Sequence, residues 1–303
     1  MSELRHRAEN YLAMRRALGH KLTDHGRLLM SFVDFLEQAD ADHVSVDLAL
    51  AWATLPEGVQ PIWWSQRLGV VRCFARHLVA IDERTQVPPV DALGARTLRT
   101  PPHLYSAEEI AALMTQARQI RFPLKAATYE TLIGLLASSG LRVGEAIRLE
   151  CRDVDLEVGL ITIRESKFRK SRLVPLHPST RDALGNYAKR RDGLFPGPKS
   201  DSFFISLSGT RLHHNSVDET FRRLVQAIGL ERPGKRRPRP HDLRHTFAVS
   251  VLLGWLRSEP DVAPRMAVLS TYLGHLKPSS TYWYLQAAPE LLALVTERLE
   301  VRS

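Results

Sequence analysis

Cysteine is almost missing from this 303-residue chain: Cys73 and Cys151 are the only two, far apart and in no C-x-x-C spacing. That excludes a disulfide framework and a cysteine-rich metal site, and it fits a reducing cytoplasm. Long apolar runs are missing too. The longest candidate, Ala248 to Leu256, falls far short of the roughly 20 residues that a membrane-spanning helix needs. The stretch Glu3 to Arg7 is charged, with no apolar signal core behind it. Nor is there a carboxylate cluster suited to two metal ions, so the sequence calls for no cofactor. The expectation is a cytoplasmic protein with no membrane partner.

What the chain has in quantity is positive charge. Its 42 Lys and Arg against 33 Asp and Glu leave a net charge of +9, spread over the length rather than confined to a tail. A polyanionic partner is implied, and nucleic acid is the first candidate. The 44% hydrophobic content is that of an ordinary globular protein long enough for two domains.

From Leu4 to about Asp82 the pattern is helical. Leu4, Ala8, Tyr11, Met14 and Leu18 mark one helix, and Leu28, Leu29, Phe32, Val33 and Leu36 mark a second behind Thr23 as N-cap. A third covers Val46 to Thr54, and a fourth follows Pro61 with Leu68, Val71, Ala75 and Leu78 as its buried stripe. Ser65, Gly69, Arg72 and Arg76 form another face of that helix, which either lies on DNA or is a solvated arginine face. Prolines at 88, 89, 101 and 102 then mark a linker. The spacing therefore predicts a helical, DNA-binding domain over 1–90, a linker over 91–102 and a second domain over 103–303.

The second domain opens on a capping box, Ser106 to Glu109, with helices at about 107–118 and 124–138 that end at Ser139-Gly140. Arg142 stands at the entrance of the next short helix, where Glu145 can hold it. Leu160 to Ile163 and Leu173 to Leu176 are strand formers around a cationic tip containing Lys167, Arg169 and Lys170, which reads as a β-hairpin. Helices at about 179–191 and 216–228 follow, and a basic loop with Lys235, Arg236 and Arg237 leads to Pro240. The fold class is mainly α with a small β-hairpin or sheet.

The chemistry gathers in Arg239-Pro240-His241-Asp242-Leu243-Arg244-His245-Thr246-Phe247. Pro240 favours a helix beginning near His241, so His241 and Arg244 share a face at a helix N-terminus, where an anion is welcome. The same stretch imitates the H-E-x-x-H helix of zinc hydrolases through His241 and His245. Against that, Arg244 stands between the two ligands and Asp242 is shorter than the usual glutamate. With Arg142, His275 and Tyr284 added, the set suits phosphate-ester transfer. Two arginines stabilise charge on the non-bridging oxygens of the transition state, His241 can take a tyrosine proton, and Lys167 or Lys170 can protonate the departing alkoxide.

Five motifs in order, G-L-R-V-G-E at 140–145, S-K-F-R-K-S-R-L-V-P-L at 166–176, H-D-L-R-H-T-F at 241–247, L-G-H at 273–275, and Tyr284, resemble the tyrosine recombinase or phage integrase family. The resemblance implies a two-domain architecture, a helical core-binding domain before a mixed α+β catalytic one. It also implies DNA cutting and rejoining through a 3′-phosphotyrosyl link without metal or ATP. Residue by residue, Arg142 and Arg244 become the phosphate clamp, Lys167 the general acid, His241 the proton-transfer group, His275 a phosphate hydrogen-bonder and Glu145 a supporting acid. Tyr284, nine residues past His275, becomes the nucleophile. Double-stranded DNA sites, a homotetramer on DNA and accessory recombination proteins are the implied partners, and the implied location is the nucleoid. Two features depart from the family: the stretch from Arg244 to His275 is long, with 258–261 as the expected insertion, and no glycine follows Lys167, which leaves Lys170 as its substitute. A type IB topoisomerase shares this chemistry, and a DNA-binding protein with a decayed site is a further alternative. Tyr282 can also attack, but two residues apart on a helix point about 200° away from each other, so only one of the pair can face a phosphate.

Overall fold

The computed structural model describes residues 2–94, 101–164, 171–231, 236–258, 262–275 and 279–287. The chain divides into two compact units, Met1–Arg99 and Thr100–Ser303.

The first unit is four helices, α1 (Glu3–Ala17), α2 (Thr23–Gln38), α3 (Val46–Thr54) and α4 (Pro61–Leu78). Their inward stripes meet in one core around Phe32, Trp52 and Phe74. All four residues expected inside α4 are buried. In α1 the inward positions after Tyr11 differ from expectation: Leu12 is buried, while Met14 and Leu18 face solvent. Thr23 is not the cap of α2. Leu22 holds that place in a left-handed conformation (φ 46°) with no side-chain cap bond, and Thr23 is already helical.

In the second unit, α5 (Ala107–Arg118) starts on the expected capping box, with Glu109 N–H donating to Ser106 Oγ at 3.1 Å. It packs on α6 (Pro123–Ser139), which is buried on several sides and so lacks a polar stripe. A single-turn helix, α7 (Val143–Ala146), leads to strands β1 (Val154–Asp155), β2 (Leu160–Ile163) and β3 (Arg172–Pro175). They form an antiparallel sheet in the order β1-β2-β3, with Ile161 opposite Val174 and Ile163 opposite Arg172. The hairpin is as expected; its third strand was not, being only two residues long. Helices α8 (Pro178–Leu194) and α9 (His214–Ala227) complete the main core. The last three helices, α10 (Pro240–Ser258), α11 (Ala263–Leu273) and α12 (Ser279–Ala287), enclose a second apolar cluster that includes Leu252, Leu269 and Tyr284. The hairpin tip, much of the linker, residues 259–261 of the insertion expected at 258–261, and the tail after 287 lie outside the described residues.

Candidate active site

The site is assembled on the C-terminus of α11. Gly274 ends that helix in the left-handed region (φ 66°), and two backbone bonds close it, Gly274 N–H to Thr271 O at 2.9 Å and His275 N–H to Ser270 O at 2.9 Å. This Schellman arrangement fixes where His275 leaves the helix. The helix end still offers free carbonyls and the negative pole of its macrodipole. Three consecutive carbonyls accept from three different arginines: Tyr272 from Arg172 Nε (2.8 Å), Leu273 from Arg244 (2.7 Å) and Gly274 from Arg142 (3.1 Å).

Each arginine comes from a separate element. Arg244, one turn into α10, is only 2% exposed and also donates to Gly140 O (2.7 Å) and to His275 Nε2 (3.0 Å). Gly140 must be glycine for this, since it ends α6 at φ 60° and a Cβ there would lie 2.5 Å from the Phe247 ring. Burial, then the charge of Arg142, lowers the Arg244 pKa to about 10, so the guanidinium stays cationic near neutrality. Arg142, the N-cap of α7, donates to Glu145 Oε1 at 2.6 Å, and its own backbone N–H goes to Glu145 Oε2 at 3.1 Å.

Arg172 joins this cluster although the sequence pattern assigned it no role, lying just before the strand expected from Leu173; in the structure it is the first residue of β3. It binds both oxygens of Glu145, at 3.1 and 2.8 Å, so a single carboxylate is shared by Arg142 and Arg172. Burial pushes the Glu145 carboxyl up, but the Arg172 bond and charge, with Arg142, overcome it and hold its pKa at about 2. The signal was available: residues two apart on a strand share a face, and Val174 is an obvious inward residue, so Arg172 had to point inward too. Gly274 makes room for it, because a Cβ there would lie 3.0 Å from an Arg172 guanidinium nitrogen.

The histidines are arranged to be neutral. His275 is lowered to about 4 by burial, then by Arg244, Arg142 and Arg172. His241 keeps part of its surface open to solvent, yet packing around its inner side, followed by Arg244, Arg239 and Arg142, also pushes it down. Near pH 7 each can therefore accept a proton. His245 packs between His241 (ring centroids 4.8 Å apart) and Tyr284 (5.4 Å), and its Nδ1 is buried without a hydrogen-bond partner. Among the described residues no three His, Cys, Asp or Glu side chains converge as a metal site would require, so the zinc reading of His241 and His245 finds no third ligand there.

The two tyrosines separate as the helical geometry demands. Tyr284 is 2% exposed, stacked on His275 with centroids 5.9 Å apart, whereas Tyr282 is 50% exposed. Burial raises the Tyr284 pKa, and Arg244, by charge and hydrogen bonding, draws it back. The structure thus brings together Arg142, Glu145, His241, Arg244, His275 and Tyr284. Lys167, Arg169, Lys170 and Lys235 lie outside the described residues. Of the remaining expected DNA contacts, Arg76, Arg236 and Arg237 are exposed, but Arg72 is turned onto the carbonyls of Pro88 (2.8 Å) and Pro89 (2.6 Å).

Comparison with known proteins covers this whole arrangement. The sequence profile of the phage integrase family matches residues 104–290. A Sinorhizobium fredii protein named "Putative integrase/recombinase y4rB" is 44% identical, across 100% of this chain and 98% of that one. The tyrosine recombinase XerC of Pelobacter propionicus is 28% identical, over 92% of this chain and 88% of its own. Among solved structures, the Tn1549 transposon integrase in complex with transposon right end DNA has a TM-score of 0.69 at 18% identity, covering 97% of this chain and 99% of that one. That similarity shows a shared fold. With the profile spanning every described residue of the site and a relative alike from end to end, the chain belongs to the phage integrase family.

Proposed function

We propose that the protein is a tyrosine-type site-specific DNA recombinase. It cuts and rejoins strands through a 3′-phosphotyrosyl ester, with Tyr284 as nucleophile. The observation that carries this reading is the meeting of Arg142, Arg244, His241, His275 and Tyr284, from α7, α10, α11 and α12, around a cluster with more positive than negative charge. The named activities of the relatives point the same way.

In the proposed reaction the Tyr284 oxygen attacks phosphorus as its proton passes to His241, and the P–O bond to the 5′ oxygen breaks. Lys167, or Lys170 in its place, protonates the departing oxygen. Arg142 and Arg244 hold the non-bridging oxygens, where charge grows in the transition state, and His275 adds a hydrogen bond. One ester replaces another, so the bond energy is conserved and neither ATP nor a metal ion is needed. Because the Tyr284 phenol is buried in the DNA-free chain, it must turn toward the phosphate when DNA arrives. The partners are double-stranded DNA sites, with the first unit completing the grip and four protomers acting together at two sites.

Trapping on a nicked suicide substrate tests the assignment. Tyr284→Phe retains DNA binding and forms no covalent adduct, while Tyr282→Phe still forms it. An adduct surviving in Tyr284→Phe would overturn the assignment.

A further inference from the structure

The protonation of His275 can be assigned from its two neighbours. Arg244 lies 3.0 Å from Nε2, and a guanidinium only donates, so Nε2 is the bare, accepting nitrogen. The ring proton of neutral His275 is then on Nδ1, which faces Thr281 Oγ1 at 2.8 Å. Thr281 is itself 1% exposed and so shielded from water that could replace it. It stands on α12, three residues before Tyr284 and on the same side of that helix.

We propose that Thr281 is a positioning residue: its hydroxyl accepts the Nδ1 proton of His275, and so ties the tautomer of that histidine to the helix that carries the nucleophile. In the DNA-free chain this leaves the Nε2 lone pair to orient Arg244. A hydroxyl can donate as well as accept, so Thr281 can also hold the ring when Nε2 carries a proton toward a phosphate oxygen. Movement of α12 that brings Tyr284 forward therefore also moves the group that sets what His275 can do. The other charged or titratable groups facing His275 include Arg142 before α7, Arg172 on β3, Arg244, His241 and His245 on α10 and Tyr284 on α12. Arg142 and Arg172 help to keep the ring neutral without choosing between its two nitrogens, a choice made by Arg244 at Nε2 together with Thr281 at Nδ1.

The inference rests on the recombinase reading for its effect on rate, but not for its structural part. Nitrogen-15 NMR of the DNA-free full chain near pH 7 reads the tautomer directly. Wild type shows Nδ1 protonated and Nε2 bare; a protonated Nε2 in wild type would overturn the proposal. Thr281→Val keeps the side chain's shape and removes the hydroxyl, whereas Thr281→Ser keeps the hydroxyl. On the suicide substrate, Thr281→Val cleaves about tenfold more slowly at unchanged DNA affinity, and Thr281→Ser restores most of the rate. Equal rates for valine and wild type overturn the coupling, as does serine behaving like valine. If wild type itself forms no adduct, the recombinase reading falls, and the NMR measurement alone decides the role of Thr281.

Discussion

The two units of this protein hold their arginine clusters in different ways. In the four-helix unit the clustered arginines meet carboxylates at or near the surface, Arg5 with Glu37 and Asp34 and Arg84 with Asp82 and Asp42, while Arg67 and Arg72 bond backbone carbonyls singly, outside any cluster. In the second unit Arg142, Arg172 and Arg244 have, among the described residues, one carboxylate between them, Glu145, and Arg244 has no ion-pair partner at all. Backbone carbonyls fill the gap. A carbonyl satisfies an N–H without cancelling its charge, so the second arrangement keeps its donors aimed while remaining short of negative charge. In the proposed reaction a phosphate diester supplies what is missing. Matched surface pairs add little to stability, whereas an unmatched buried cluster waits for an anion.

The comparison breaks hardest at Glu145. Glu145→Gln keeps the shape and removes the one matching charge that the cluster has among the described residues, so it should cost about 3 kcal/mol of stability, the range for uncoupling a buried ion pair. It should also slow cleavage by at least about 100-fold as Arg142 drifts. Urea denaturation and single-turnover cleavage read both effects, and a melting curve like that of wild type would mean the cluster is balanced in some other way.

Acid sharpens the contrast. His245 and His275 have folded pKa values of about 3 and about 4, below the usual 6.5. Between about pH 6.5 and 3 these groups bind more protons in the unfolded chain than in the folded one, and stability falls as pH falls through that window. It is fully present above it. Glu37 and Asp82 in the first unit, both held at about 2 by their arginines, begin to weaken the fold only as pH falls through the ordinary carboxylate range toward 2. Hydrogen exchange at pH 7.5 and 5 should show protection lost in α10–α12 before α1–α4. The smallest effect is expected from Glu37→Gln: its partner Arg5 keeps Asp34 and solvent, so the thermal midpoint should barely move. A large drop there would erase the distinction between the units.

Much of this was legible in order along the chain. The capping box at Ser106, the break at Gly140, the hairpin strands and the apolar stripe of α4 all depend on neighbours a few residues away, which sequence spacing records. The opposite orientations of Tyr282 and Tyr284 followed from helical angle alone. Thr23 misled because a side chain able to cap a helix does not have to, and Leu22 took the position instead. Helix α11 was hard to place among Pro260, Pro264 and an unusual insertion. For Arg172 strand alternation gave the direction of the side chain but not its partners, which lie on α7 and at the end of α11, and no local pattern announces a contact across 100 residues.

That last distance bears on how the protein folds. The three arginine-to-carbonyl bonds at the end of α11 join residues 132, 100 and 29 positions apart. Contacts of such separation close late, after local helices and hairpins have formed. A chain still emerging from synthesis, or one opened at any single element, can present basic surface to DNA yet cannot hold a phosphate between fixed arginines. On the proposed chemistry, the ability to cut DNA is thereby withheld from incomplete molecules and arises only once the fold has closed.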